Sequence, residues 1–497
     1  MLSHIGLQLI VMLSGIILPR FFLKEYGSAV NGLVSSISQF LTYLGLAEAG
    51  VGSASMVALY GPIASNNKEE INGILAATKK FYNKSGRIFV CLLLALVCVY
   101  PIIVSEQIDT KTVRLMIIIL ASSTLVDFFF VGKYKVFLTA SQNGYIISNI
   151  QAVGTILNVA VSIVLIYYHV NVLVVKGSAT LIYILRFIIV RYYAEKVYPW
   201  IDFNVTAKDN ALKQRVDVLL HQIVGVIVNN TDIVLLTFLL GNNSLKEVSV
   251  YTIYNMVSSS VNGLLNSFSN ALTAGFGDVI SSGEEETLKR SYSNFEYLYF
   301  IVVFSVAICM GVLILPFVEI YTRGVTDVNY VRSSLAVLFT LVILVQNIRI
   351  PSITIITAAG HFSQTRRQAV LEAGINLTVS LVLINRLGIV GVLLGTVCSY
   401  AYRTTESIGY TAKKLVKRTG TKTFYRLVRN GLVAGICLII GTSNVPRNMS
   451  GYVEWMFYAI GVGVCSCILL IIVNVICEKD EACMLKKRIY NVLKTIK

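Results

Sequence analysis

The run "IFVCLLLALVCVYPIIV", from Ile88 to Val104, contains no charged side chain and no alternation of polar with apolar residues. It comes close to the roughly 20 apolar residues an α-helix needs to cross a ~30 Å hydrocarbon core. A strand of a membrane barrel would alternate, and in lipid only a closed barrel or a helix satisfies its own backbone, so the run reads as a spanning helix. "IQAVGTILNVAVSIVLIYY" (Ile150 to Tyr168) reads the same way. The rest of the 497-residue chain agrees, being 55% hydrophobic and 14% charged, more apolar than soluble domains are.

Following hydropathy outward from these runs predicts an all-α integral membrane protein of about fourteen transmembrane helices. They fall near 2–24, 31–58, 88–104, 114–131, 146–168, 172–190, 216–240, 248–275, 297–318, 333–357, 369–384, 388–408, 430–444 and 452–476. Met1 begins almost inside the first span, which is not the pattern of a cleavable leader. The net charge of +16 is accounted for without nucleic acid. With both termini in the cytoplasm, most Lys and Arg fall in cytoplasmic loops and the tail, the asymmetry that orients membrane proteins. "KKLVKR" (Lys413 to Arg418) and "LKKR" (Leu485 to Arg488) then face anionic inner-leaflet lipid.

The nine cysteines lack metal-ligand spacing and read as reduced packing residues. With no H-E-x-x-H, P-loop or G-x-G-x-x-G, no catalytic residue, metal set or cofactor is expected.

One polar phrase occurs twice. "LYGPIASNNKEEING" (Leu59 to Gly73) and "GFGDVISSGEEETLK" (Gly275 to Lys289) match Gly61 with Gly277, Ser65 with Ser281, Glu69 with Glu285 and Glu70 with Glu286. Further on, Thr139, Asn158, Ser162, Gly177, Tyr192 and Lys196 meet Thr357, Asn376, Ser380, Gly395, Tyr410 and Lys414. Six spans separate the copies, so the chain is expected to hold two parallel six-helix halves, 1–200 and 201–415, followed by two added helices and a basic tail, 416–497. Halves repeated in parallel suit a transporter that rocks about a central site.

Polar stripes point to that site. Asn255, Ser259, Asn262, Asn266, Ser269 and Thr273 recur at helical spacing on one face of the eighth span, and Asn31, Ser35, Ser38, Gln39 and Thr42 trace a similar face of the second. They suit a cavity for hydroxyl-rich cargo, or hydrogen-bonded contacts between helices. Charges inside spans are functional candidates because insertion is costly. Asp232 is the deepest acid, in a polar sector with Asp217, His221 and Asn229, and with Glu48 is the candidate for coupling to a cation or proton. Glu48 falls opposite the polar face of its span and is expected to pair with a basic residue in its own half. Arg349 and Arg20 are the candidates for cargo phosphate, since a guanidinium fork matches phosphate oxygens. Arg186 and Arg403 are expected to snorkel to the interface, and Lys176 is a further basic intruder.

The stretch from Pro19 to Tyr82, "PRFFLKEYGSAVNGLVSSISQFLTYLGLAEAGVGSASMVALYGPIASNNKEEINGILAATKKFY", resembles the N-terminal signature of bacterial polysaccharide flippases of the Wzx type. These form the oligosaccharidyl-lipid branch of the superfamily that includes multidrug and toxic compound extruders. The resemblance continues through "NNTDIVLLTFLLG" (Asn229 to Gly241) and the tail. It implies a protein of the bacterial cytoplasmic membrane that exports undecaprenyl-diphosphate-linked oligosaccharide from the inner to the outer leaflet by alternating access, for surface polysaccharide synthesis. Implied partners are the lipid-linked oligosaccharide, Na+ or H+ as coupling ion, and the polysaccharide polymerase and glycosyltransferases. Arg20, Glu48 and Asp232 occupy positions of charged residues in the family stretches. A cation-coupled drug or metabolite antiporter of the same fold is the alternative. A membrane-embedded glycan polymerase or transferase is the second, though it would want larger outer loops than this chain has.

Overall fold

The computed structural model describes residues 2–48, 50–208, 215–361 and 363–483. The described residues contain helices and no strand, and they divide into two compact units.

The first unit, 1–252 with the loop 324–328, begins with α1 (Leu2–Gly45), a tight turn at Leu46–Glu48 and α2 (Val51–Ala64). Then follow α3 (Lys68–Ile103), α4 (Thr110–Val126), a π turn at Asp127–Val131, α5 (Gly132–Ala140), α6 (Gly144–Tyr167) and α7 (Val172–Val197). It closes with α8 (Arg215–Leu239) and the start of α9 (Ser244–Ser281). Its core gathers Leu33 and Ile37 of α1, Leu59 of α2, and Leu75, Phe89 and Tyr100 of α3. α1 is two helices in series. Gly27 sits at φ 78°, a conformation glycine adopts without a Cβ penalty. The new helix starts at Ser28, whose backbone N–H donates to Asp327 Oδ2 at 2.9 Å and whose hydroxyl donates to Oδ1 at 2.6 Å, a carboxylate capping a positive helix end.

The second unit comprises 253–323 and 329–497. It contains the rest of α9, α10 (Glu285–Tyr321), α11 (Ser333–Ile348), α12 (Ile350–Ala358), α13 (Arg366–Leu387), α14 (Ile389–Tyr410), α15 (Thr421–Asn444) and α16 (Tyr452–Cys477). α10 is its core helix, burying Tyr292, Tyr299, Phe300, Phe304 and Ile308.

The doubled phrase has a local structural meaning. Each copy leaves one helix and starts the next, α2 to α3 and α9 to α10. Glu69 with Glu70, and Glu285 with Glu286, fill the first turn of the new helix, where a negative charge complements the helix dipole. In the first copy the Asn67 side chain also accepts the Glu70 backbone N–H at 3.1 Å.

Ten helical segments among the described residues are long and apolar enough to cross a membrane, and one of them, Gly6–Glu48, covers the first expected span and much of the second. α8, α9 and α14 are not among the ten; the polar residues of α9 and α14 lower their hydropathy, so length and composition alone do not reach fourteen. Large apolar side chains such as Ile102, Tyr167, Ile439 and Phe457 lie exposed on helix faces, a surface that suits lipid chains. The chain is a multi-pass membrane protein. All nine cysteines are free thiols, and Cys91, Cys98, Cys398 and Cys465 lie exposed on helix faces instead of being packed inside as expected.

Asn376, Ser380 and Gly395, members of the longer repeat, meet where α13 packs on α14. Asn376 donates to Thr396 Oγ1 at 3.1 Å, and Ser380 donates to the Val392 carbonyl at 3.3 Å. A Cβ on Gly395 would stand 2.2 Å from Ser380 Oγ and 2.9 Å from the Asn376 carbonyl oxygen. Small residues at such contacts let two helices approach closely in lipid. Gly395→Val is therefore expected to push the pair apart and cost about 1–3 kcal/mol, the usual size of overpacking. A lower thermal unfolding midpoint of the purified protein would register it, and an unchanged midpoint would contradict the packing.

Candidate functional site

Glu48 ends the turn that interrupts the second expected span. The break spans Leu46–Glu48 and Gly50, which has φ 83°, so the helical register before it does not carry past it. For that reason the sequence expectation for Glu48 is corrected. Its side chain lines a cavity of about 540 Å³ together with Thr42, Gly45, Ser53, Gly225 and Asn230. Its hydrogen-bond partner is the Tyr82 hydroxyl, which donates to Oε1, not a basic residue. The cavity combines one carboxylate, hydroxyls, an amide and side-chain-free glycines, a lining suited to polar cargo or a cation.

The rest of the expected face on α1 divides. Ser38 and Thr42 are exposed, whereas Asn31 is buried and donates to Ser249 Oγ at 2.8 Å. Gln39 is half-buried, and its Nε2 is a buried donor with no hydrogen-bond partner.

On α9, Asn255 is half-buried and Asn266 exposed. Asn262 is tied to α11: it donates to Gln346 Oε1 at 2.7 Å, and Asn347 donates to its Oδ1 at 2.7 Å. Ser269 and Thr354 share a 2.8 Å hydrogen bond. Within its own unit this stripe therefore supplies helix-to-helix hydrogen bonds and leaves Asn266 open.

Asp232 is 5% exposed on α8 and accepts a 2.8 Å hydrogen bond from the Tyr251 hydroxyl. The side chains of Asp217, His221 and Asn229 lie outside the described residues, as does the "LKKR" segment. Arg20 is half-buried in α1 beside Pro19. Arg349, at the junction of α11 and α12, donates from Nη1 to Glu372 Oε1 at 2.5 Å, and its guanidinium lies 4.6 Å from the centre of the Tyr400 ring. Arg403 also turns to Glu372, with Nε 3.6 Å from Oε2, and is 7% exposed. It is thus paired inside the unit and does not snorkel. Lys176 lies over the Phe22 ring at 4.3 Å.

One charged cluster was not visible in the sequence reading. Arg426 of α15 is fully buried. Its Nη1 donates to Glu296 Oε2 and to the Ser293 carbonyl, at 3.0 and 2.9 Å, and its Nη2 donates to Glu478 Oε2 at 2.5 Å. Arg418 donates to the same Glu296 oxygen at 2.5 Å, and Thr423 donates to the other at 2.7 Å. Arg429 reaches Glu478 at 2.8 Å, and Lys422 reaches Glu481. These pairs fasten α10 to α15 and to the chain leaving α16.

No protein-family model matches the chain, and no curated protein does. Among solved structures, one titled as the lipid II flippase MurJ in an inward closed conformation has a TM-score of 0.67 and 14% identity, covering 96% of this chain and 99% of that one. An inward-facing multidrug resistance MATE family transporter of the MOP superfamily has a TM-score of 0.59 and 13% identity, with 83% of this chain and 97% of that one covered. An outward-facing MATE structure follows with 0.51, 13%, 83% and 95%. At such identities the likeness is one of fold. This chain has the fold shared by that flippase and those transporters.

Proposed function

We propose that this protein is a flippase that exports lipid-linked oligosaccharide, carried on undecaprenyl diphosphate, from the inner to the outer leaflet by alternating access. The observation that carries the reading is the polar cavity of about 540 Å³ around Glu48, in a chain with ten helical segments, among the described residues, long and apolar enough to cross a membrane. Support for a lipid-linked cargo comes from a fold likeness to a lipid II flippase that extends over 96% of the chain. In this reading the two repeat-related halves rock about a shared path, Gln39, Asn255, Asn262 and Asn266 contact sugar hydroxyls, and Arg20 and Arg349 receive the diphosphate. Asp232 and Glu48 bind the coupling Na+ or H+. The protein sits in the bacterial cytoplasmic membrane with both termini inside and catalyses no covalent step. The MATE likeness favours cation-coupled antiport of a drug or metabolite as the second reading.

A diphosphate needs fixed positive charge along its route through the membrane. Arg349→Ala is therefore expected to cut the appearance of labelled lipid-linked oligosaccharide on the far face of vesicles by at least about ten-fold, the worth of one charge-assisted hydrogen bond. Arg349→Lys, which keeps the charge and loses the fork, should retain part of the rate. Wild-type rates for Arg349→Ala at equal protein levels would remove the residue from the path. Vesicles that move a cationic dye and no lipid-linked sugar would favour the antiporter.

A further inference from the structure

We infer that the first unit binds the phosphodiester headgroup of an anionic membrane lipid in a second cavity, bounded by the π turn, α5, α6 and α7. The cavity holds about 190 Å³, which is small for an oligosaccharide. Its polar side is formed by Asp127, Lys135, Gln151, Tyr183 and Arg186, and the other by aliphatic side chains and Phe187.

Arg186 is seated on Gly154: a Cβ there would lie 1.9 Å from the guanidinium Nε. From this seat Nη2 donates to Thr155 Oγ1 at 3.3 Å, while Nε is buried with no hydrogen-bond partner. A buried donor left unmade is costly, so a site that holds one calls for an acceptor. Lys135 is exposed and has no ion-pair partner within 4 Å among the described residues. Asp127 is the one acid in the lining, and its carboxylate is engaged by the Tyr183 hydroxyl. The Glu48 carboxylate acts on Lys135 and on Asp127 from outside the lining, so Arg186, whose one hydrogen-bond partner among the described residues is the neutral Thr155, is the cation left to meet a singly charged phosphodiester.

Depth and surface fit a lipid. At ~1.5 Å per residue, Lys135 lies about 8 Å along the helix from the end of α5 at Ala140, Gln151 about 11 Å from the start of α6 at Gly144, and Arg186 about 17 Å from the end of α7 at Val197. Chain ends of one side of the bundle thus converge on the cavity. Ile184 and Ile188 of α7 and Tyr145 of α6 are exposed nearby along the same helices, a surface along which acyl chains can lie. Simple snorkelling leaves Arg186 without the seat on Gly154, which a lipid acceptor would use. The inference stands apart from the identity of the cargo.

The test uses the full-length protein, purified in detergent, with phosphatidylglycerol, phosphatidylcholine or inorganic phosphate added at equal concentration. Bound lipid is counted by native mass spectrometry, and the thermal unfolding midpoint is followed. The expected result is retention of phosphatidylglycerol over phosphatidylcholine and a raised midpoint with phosphatidylglycerol alone. Arg186→Gln should weaken retention by about ten-fold, as the loss of a charge-assisted hydrogen bond does, and Lys135→Gln should weaken it less. Gly154→Ala keeps every charge and displaces the guanidinium, so it should also lose the preference. That variant decides the matter if Arg186→Gln fails to fold. Equal retention of the two lipids overturns the inference, and so does an undiminished preference in folded Gly154→Ala. A midpoint raised as much by inorganic phosphate marks a free-anion site and overturns the lipid assignment.

Discussion

Arg426→Ala is expected to destabilise the second unit by about 3–5 kcal/mol, the cost of breaking a buried ion pair by removing one partner. The guanidinium is fully buried and donates to both Glu296 and Glu478. Without it Glu296 keeps Arg418 and Thr423, while Glu478 keeps Arg429. Each acid is left with less compensation in a site closed to water. Arg426→Lys restores the charge without the fork and should recover part of the loss. Pairing Arg426→Met with Glu296→Gln should be no more stable than Arg426→Met alone, because Glu296 still holds Arg418 and Thr423 and its loss leaves the Arg418 guanidinium without its carboxylate. The measurement is the unfolding midpoint and the yield of folded protein. A double variant clearly more stable than the single would contradict the sharing of Glu296 between Arg418 and Arg426. Acid acts on the same network. Burial pushes the Glu478 carboxyl up, but the hydrogen bonds and charges of Arg426 and Arg429 outweigh it and hold it below the usual carboxylate range. A depressed folded-state value adds stability above the unfolded value, near pH 4, and loses it as pH falls through the folded one.

Asp232→Asn is expected to abolish the acceleration of transport by an imposed cation or proton gradient while leaving the fold near normal. Asparagine keeps the size and can still accept the Tyr251 hydrogen bond, so the charge is what changes. A coupling free energy of the usual 1–3 kcal/mol corresponds to roughly 5–150-fold in gradient-driven rate. Glu48→Gln gives the comparison, since Glu48 lines the polar cavity and Asp232 is buried on α8. The experiment compares vesicles with and without a gradient of Na+ or H+. Gradient dependence unchanged in Asp232→Asn would discard it as the coupling acid, and dependence lost in Glu48→Gln alone would move the role to the cavity.

The apolar runs made the helical class legible, because lipid leaves a backbone so few options. Helix ends were less so. Hydropathy placed the ninth and thirteenth spans at 297 and 430, yet α10 starts at Glu285 and α15 at Thr421. The helices continue past the apolar run, and Glu296 and Arg426, which fall just outside the expected spans, are buried where those extensions pack. Glu48 was misplaced for the opposite reason: a helical wheel drawn through the break at Leu46–Glu48 assigns it the wrong face. The stripe on α9 was readable as a face, but the partners of Asn262, Gln346 and Asn347, lie more than eighty residues away. Periodicity within one helix says nothing of what stands opposite it. The burial of Asp232 needed no such knowledge, since it lies far from either end of its apolar run.

The π turn at Asp127–Val131 has a consequence for how the first unit can vary. Such a turn takes up about one residue more than an α-helical turn. It works as a phase shifter: α4 and α5 continue as one rod, but their side-chain faces are offset by about 100°, one residue's rotation in an α-helix. Deleting one residue between Asp127 and Val131 would let the turn close to an ordinary α turn with the faces kept, whereas deleting one from the regular turns of α4 before it would shorten the rod by little and spin everything after it. Lys135 would swing out of the cavity it lines, and the buried side chains of α5, Tyr134, Val136 and Phe137, would turn with it. The π turn can give up its extra residue locally, whereas a change of length by one residue in the regular turns beside it re-addresses a whole helix face.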